Sequence, residues 1–181
     1  MSSELDKIIA GCKANDHKAF EIVYKKYYRL LLGVSLRYSS NTAEAEDILQ
    51  DSFIKIFNSI RSFEMKGSFE GWMKRIVQNA AINQYRKNLK FGLYVTDKFE
   101  AEADEGLDAI LDNFEAKDIL LLLNRMPEGY RVIINLYCID GYSHKEIAEL
   151  LNISTGTSKS QLFKARNYLK ELVEQYNKQV I

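Results

Sequence analysis

The sequence predicts an all-α protein built as two small helical domains joined by a flexible acidic linker. Three observations carry that expectation. Apolar residues recur three and four positions apart in segment after segment, and no stretch alternates apolar with polar as a half-buried strand does. Proline occurs once, at Pro127. The zero net charge conceals blocks: 15 Lys+Arg against 10 Asp+Glu in residues 1–90, two against nine in 91–118, and eight against six in 119–181. Two mildly basic blocks are thus separated by an acidic stretch.

The elements follow in order. Ser3 with Asp6 three residues on is a capping-box spacing, and Leu5, Ile8, Ile9 and Cys12 continue it at helical intervals. Asp16 caps a second helix whose stripe is Phe20, Val23, Tyr24, Tyr27, Leu31 and Val34. Ser39–Thr42 is a break. A third helix turns Ala45, Ile48, Leu49, Ser52, Phe53, Ile56 and Ile60 inward. Ser62–Gly71, with two glycines, reads as a loop, and a fourth helix runs from about Phe69 to Leu89. The run Asp97–Gly106 has no sustained apolar face, which reads as a linker; a solvated acidic helix is the alternative. Beyond it, Ile119–Leu123 is a short apolar run stopped by Pro127. Helices over about Glu128–Ile139, Ser143–Leu151 and Thr155–Lys178 complete the chain. The expected domains are 1–92 and 116–181, with 93–115 as linker.

Composition excludes several classes. At 46% hydrophobic and 28% charged, 181 residues suit a folded, water-soluble protein rather than a disordered or fibrous one. No apolar run approaches the roughly 18 residues of a membrane span, and the N-terminus lacks a secretion-signal pattern. Membrane insertion is not expected, and a reducing cytoplasm is. Cys12 and Cys138 stand far apart without Cys/His ligand spacing, so neither disulfide scaffold, metal nor cofactor is expected. His17 and His144 are isolated, no nucleophile–base pair or paired-carboxylate motif stands out, and no small-molecule substrate or enzyme activity is expected. His144 itself reads as an exposed first-turn residue.

Two places carry function. In Gly141–Thr157, Gly141 ends one helix, Ser143 with Glu146 boxes the next, and Ala148 allows a close helix crossing. A tight turn at Asn152–Ser154 leads into a polar-fronted helix. This is helix-turn-helix logic, in which a short helix braces a second one whose first turns enter the major groove. That front offers Ser154, Thr155, Thr157, Ser158, Lys159 and Gln161 to base edges and phosphates, with Lys164 and Arg166 further along toward backbone or solvent. A helical hairpin with a solvated polar face is the competing reading. The second place is Ser68–Lys87. Met73, Ile76, Val77, Ala80 and Ala81 fall on one side of a helix, and Arg75, Asn79 and Arg86 on the other with Asn83 at its edge. Cations and amides beside aromatic residues suit a strand with unstacked bases, and the glycine-containing loop before the helix suits an extruded base. Phe69 and Trp72 are more often core anchors than stacking platforms, and the polar stripe serves equally as a solvated face. A weaker feature is Glu44, Asp47, Gln50 and Asp51 on the third helix, with Ile54 and Phe57 off its main stripe. Such a face suits docking of a partner helix or plain solvation.

These residues resemble the extracytoplasmic-function (ECF) sigma factors of bacterial RNA polymerase. The likeness runs through Ala19-Phe20 to Tyr28, Ala45–Phe53 and Trp72 to Arg86-Lys87, then Pro127, Arg131, Leu136, Gly141, Ser143, Glu146-Ile-Ala148, Leu151, Ile153-Ser154, Gly156-Thr157, Lys159-Ser160, Leu162, Ala165-Arg166 and Leu169. The resemblance implies a region-two helical bundle in the first domain and a region-four helix-turn-helix in the second. It implies that Asp47, Gln50, Asp51, Phe53 and Phe57 dock on the core polymerase. It implies that the loop near Glu64–Ser68, with Lys66 and Ser68, acts with Trp72, Arg75, Asn79, Asn83, Arg86 and Lys87 to open and read the −10 element. Residues from Ser154 to Arg166 would read the −35 element as duplex. Core polymerase, promoter DNA and an anti-sigma factor are the implied partners; a free-standing helix-turn-helix regulator is the alternative. The sequence departs from the family's common pattern at four positions. Asn152 stands where glycine is common, Ser158 where an apolar residue is, Gln161 where Arg is, and Asn83 where Asp is. Ser158 is expected to loosen the recognition helix, and Gln161 to prefer adenine over guanine.

The linker's reach bears on mechanism. Roughly 25 residues span at most about 80–90 Å extended, but about 30 Å as flexible coil. Promoter elements a little over two helical turns apart require roughly 70–85 Å. The linker reaches but does not stay extended unaided, so the polymerase is expected to hold it so.

Overall fold

A computed structural model of the chain describes residues 4–89 and 114–180. Every regular element among them is helical: α1 (Glu4–Lys13), α2 (His17–Tyr38), α3 (Thr42–Ser59) with a 3₁₀ turn (Ile60–Ser62), α4 (Phe69–Leu89), α5 (Ala116–Arg125), α6 (Glu128–Ile134), α7 (His144–Leu151) and α8 (Thr155–Val180). The expected Ser3 cap and, apart from Phe114 and Glu115, the expected linker lie outside the described residues. By their contacts the residues divide into two units, one of residues up to 36 and 41–81, the other of 37–40 and those from 82 on.

In the first unit the caps do what residue type dictates. The Asp16 carboxylate accepts from the Lys18 amide at 2.9 Å, and Asn41 Oδ1 accepts from the Glu44 amide at 2.9 Å, starting α2 and α3. The core gathers Ile9 and Cys12 of α1, Val23, Tyr27, Leu31 and Val34 of α2, Ala45, Ile48, Leu49, Phe53 and Ile56 of α3, and Phe69, Met73 and Val77 of α4. Helix α1 lies close on α2, for a Cβ at Gly11 would come within 2.9 Å of the Ala19 Cβ. Gly71, expected in the loop before α4, lies within that helix, which Ser68 caps by accepting from the Gly71 amide at 3.1 Å.

In the second unit α6 does not stop at Ile134. It widens into a π turn over Asn135–Ile139, closed by the Asp140 amide donating to the Asn135 carbonyl at 2.8 Å. Gly141, at φ +75°, then reverses the chain, with the Tyr142 amide donating to the Leu136 carbonyl at 2.9 Å. Ser143 caps α7 in a complete capping box with Glu146. Ile147, Ala148 and Leu151 of α7 are buried, as are Leu162, Ala165, Leu169, Leu172 and Val173 of α8. At the far end of α8 the Tyr176 hydroxyl donates to Asp118 at 2.8 Å.

The turn between α7 and α8 explains one departure of the sequence. Asn152 sits at φ 56° and ψ 49°, the left-handed region, while its neighbour Ile153 donates to the Ala148 carbonyl at 3.0 Å. Asparagine is the residue other than glycine that enters this region most readily, so the turn survives without glycine. Asn152→Gly is expected to leave stability nearly unchanged. Asn152→Val should cost about 1–2 kcal/mol, read by urea unfolding of the full chain; a valine variant as stable as the parent would contradict this turn.

Candidate nucleic-acid interfaces

Helix α4 is built with a dry side and a wet side. Phe69, Met73, Val77, Ala80, Ala81 and Tyr85 are buried, whereas Arg75, Asn79, Asn83, Arg86 and Lys87 are all exposed. Ile76 is only half-buried, and Gln78 and Ile82 are buried instead, so the apolar side is wider and rotated from the expected one. The exposed set places three donors-only cations and two amides along one continuous helix. The loop ahead of it is pinned at its base. Lys13 Nζ donates to the Phe63 carbonyl and Arg61 Nε donates to the Lys13 carbonyl at 3.2 Å. Its tip is open: Met65 at φ 60° and Gly67 at φ 80° bend it, and Met65, Lys66, Gly67 and Ser68 are exposed. Lys66 pairs with Glu64 at 2.8 Å, an exposed pair of little energetic weight. Trp72 is half-buried against Phe63 and Phe69, with ring centroids 5.3 and 5.7 Å away, so it belongs to the wall of the loop as well as to its support.

Helix α8 presents its front differently. Ser154 caps it, its Oγ accepting from the Thr157 amide at 2.9 Å and lying 2.8 Å from Thr157 Oγ1. Ser154, Thr155 and Lys159 are exposed; Thr157, Gln161 and Lys164 are half-buried. Three residues depart from expectation. Ser158 is fully buried, and its hydroxyl lies 2.9 Å from His144 Nδ1, so its side chain points into the unit and not toward a groove. Arg166 is half-buried with its guanidinium 5.7 Å from the centroid of the Tyr137 ring and Nη2 3.9 Å from Cys138 Sγ, which draws it back onto the π turn. His144, expected as an exposed residue, is half-buried and stacks on Tyr137 at 4.6 Å and 26°.

On α3, Asp47, Gln50, Asp51 and Ile54 are exposed, Ile54 at 59%. Phe57 is half-buried, its ring 4.6 Å from Phe20. Phe53 is 3% exposed and packs on Tyr24 at 4.7 Å, so it supports this face from beneath and does not present itself to a partner.

Residues 23–90 match the family Sigma-70 region 2, and residues 116–169 match Sigma-70, region 4. The chain is 31% identical over 185 residues to the ECF RNA polymerase sigma factor SigW of Bacillus subtilis, covering 94% of this chain and 97% of that one. The chain belongs to the ECF RNA polymerase sigma factors. It is also 27% identical to the RNA polymerase sigma-H factor of Pseudomonas aeruginosa, over 96% of each chain. Among solved structures it is similar to the sigma factor RpoE, in complex with the anti-sigma factor NepR, from Bartonella quintana. There the TM-score is 0.51 and the identity 26%, over 87% of this chain and 98% of that one.

In this sigma factor α4 falls inside the region 2 match, and α5 to α7 with most of α8 inside the region 4 match. Among the described residues no helix is long and apolar enough to cross a membrane. Burial lifts the Cys12 thiol to about 11, with Asp16 adding to the shift, so it stays protonated and unreactive. Sequence reading missed Lys13, Arg61, Tyr137 and His144 as supports of the two polar faces. Each acts through a contact between distant parts of a unit, or through a ring whose partner is set only by folding.

Burial lowers the His144 pKa from its ordinary value of 6.5, with Lys159 and Arg166 adding to the shift. The unfolded chain therefore takes up this proton at higher pH than the folded one. Stability from this group is full above 6.5 and is lost as pH falls through the folded value. Urea unfolding from about pH 7.5 to about pH 5 should show the parent losing more stability than His144→Asn. Parallel pH curves would contradict the assignment.

Proposed function

We propose that this sigma factor binds core RNA polymerase and directs initiation through two separated DNA contacts. The exposed face of α4 with its loop holds the opened −10 strand, and the front of α8 reads the −35 duplex. The observation that carries the reading is a pair of polar surfaces, the exposed stripe of α4 and the exposed Ser154, Thr155 and Lys159 at the front of α8, on helices that lie in the region 2 and region 4 matches. A free-standing regulator would use the second stripe alone and leave the first unexplained.

The chemistry is that of binding. Arg75, Arg86 and Lys87 neutralise strand phosphates, and Asn79 and Asn83 offer both donors and acceptors to unstacked bases. Met65, Gly67 and Trp72 bound a loop that takes an extruded base. Unstacking costs a few kcal/mol per step, which the captured bases must offset. The sequence has no GxxxxGK[ST] stretch, so binding energy drives the opening in this account. At the −35 element, the N-terminus of α8 with Ser154 and Thr155 faces phosphate, and Lys159 and Gln161 approach phosphate and base edges. Asp47, Gln50, Asp51, Ile54 and Phe57 form the polymerase-docking face, with Phe53 beneath. An anti-sigma factor would act by covering these polymerase-facing surfaces.

A permanganate footprint of unpaired thymines on a promoter recovered by selection with core polymerase tests the first contact. Asn79→Ala and Arg86→Ala should each reduce reactivity while polymerase association stays intact; unchanged reactivity in both would overturn the α4 assignment. For the second contact, holoenzyme binding to promoter variants should separate two effects. Lys159→Ala weakens all −35 sequences about equally, and Gln161→Ala costs roughly 1–3 kcal/mol at one base position only. The reverse pattern, or no effect of either, would overturn the α8 assignment.

A further inference from the structure

A buried hydroxyl on a DNA-facing helix needs a partner, and the one it finds is telling. Ser158 is 0% exposed, between the exposed residues Thr155 and Lys159 on the first turns of α8. Its Oγ meets His144 Nδ1 at 2.9 Å, across the turn from the first residue of α7. The imidazole is not free to swing, because it lies stacked on Tyr137 of the π turn at 4.6 Å. Tyr137 also receives the Arg166 guanidinium 5.7 Å from its ring centroid, and Arg166 stands two turns beyond Ser158 on the same helix. Helix α8 is thus held at two points, by His144 and by Tyr137, against parts of the chain that are themselves capped and turned in place by Ser143 and Gly141.

We infer that His144 is a positioning residue for −35 recognition, its hydrogen bond to Ser158 setting how far α8 is rotated about its axis toward the groove. This rests on the reading of α8 as the −35 reader. The consequence is opposite to the loosening expected from a polar residue at position 158. A methyl-lined contact resists separation but slides and rotates, whereas a hydrogen bond is directional and holds the helix at one angle. Lys159 adjoins Ser158 and Gln161 stands three residues past it, so a rotation at Ser158 moves both readers together. Base contacts are short and directional, and phosphate contacts tolerate displacement. The hydrogen bond should therefore matter for sequence discrimination more than for total affinity.

The test uses holoenzyme on two promoters, one with the −35 element recovered by selection and one with that element scrambled, the −10 element being shared. His144→Phe keeps a ring for Tyr137 and removes the hydrogen bond; Ser158→Ala removes it from the other side. Each should lower the ratio of binding to the two promoters roughly two- to tenfold, the range for one lost hydrogen bond, with little change on the scrambled promoter. The double variant should be no worse than the worse single, because both remove the same bond. His144→Asn, whose side-chain amide places a polar atom where Nδ1 lies, should recover part of the ratio. Additive losses, or an unchanged ratio in His144→Phe, overturn the inference while leaving the α8 assignment standing. No discrimination by the parent would overturn both. In the parent chain, without substitution, NMR should show nuclear Overhauser contacts between the His144 ring and the Ser158 methylene; their absence overturns the inference even if a variant fails to fold.

Discussion

A helix that buries one side in a core must show the other side to water, and α4 and α8 place their polar stripes under that constraint. Met73, Val77 and Ala80 of α4 and Leu162, Ala165 and Leu169 of α8 are dry. Their burial, at about 25 cal/mol per Å² of apolar area, holds the helices in place, and the 3.6-residue helical period spaces the opposite stripes. On α4 the exposed cations and amides, Arg75, Asn79, Asn83, Arg86 and Lys87, lie off that core. They are free to be chosen for what they bind, which is why a core reading and a binding reading of the same helix are compatible here.

The supports are local and polar where the scaffold must be aimed rather than merely held. The capping box of Ser143 and Glu146 starts α7, Asn152 in the left-handed region turns the chain, and Ser154 starts α8. Three successive polar devices within a dozen residues thus determine where the front of α8 stands. On α4 the corresponding work is done by Ser68 at the cap and by Lys13 and Arg61 at the base of the preceding loop. Each of these two surfaces lies in its own matched region of this ECF sigma factor.

Much of this was legible before folding, because helical period and capping are local. The wet side of α4 could be read from Arg75, Asn79 and Arg86 alone, and the capping box of α7 from a serine and a glutamate three apart. What escaped was set by neighbours distant in sequence. Ser158 looks like a groove-facing hydroxyl until His144 folds against it, whereas the inward place that helical period gives Phe53 is the one it takes, against Tyr24, and not the docking place that the resemblance implies. Arg166 was expected toward backbone or solvent, but the Tyr137 ring draws it inward. The turn at Asn152–Ser154 was legible as a turn, and the left-handed φ of Asn152 shows why a non-glycine residue is tolerated there.

The claim beneath all of this is that one chain converts core polymerase into a promoter-specific enzyme through the stripes on α4 and α8. In vitro transcription with the cognate core polymerase on a genomic library, with and without the protein, tests it most directly. The account predicts discrete start sites that appear only when the chain is added and vanish with Arg75→Ala/Asn79→Ala. Start sites identical with and without the chain, or undiminished in that double variant, would contradict it.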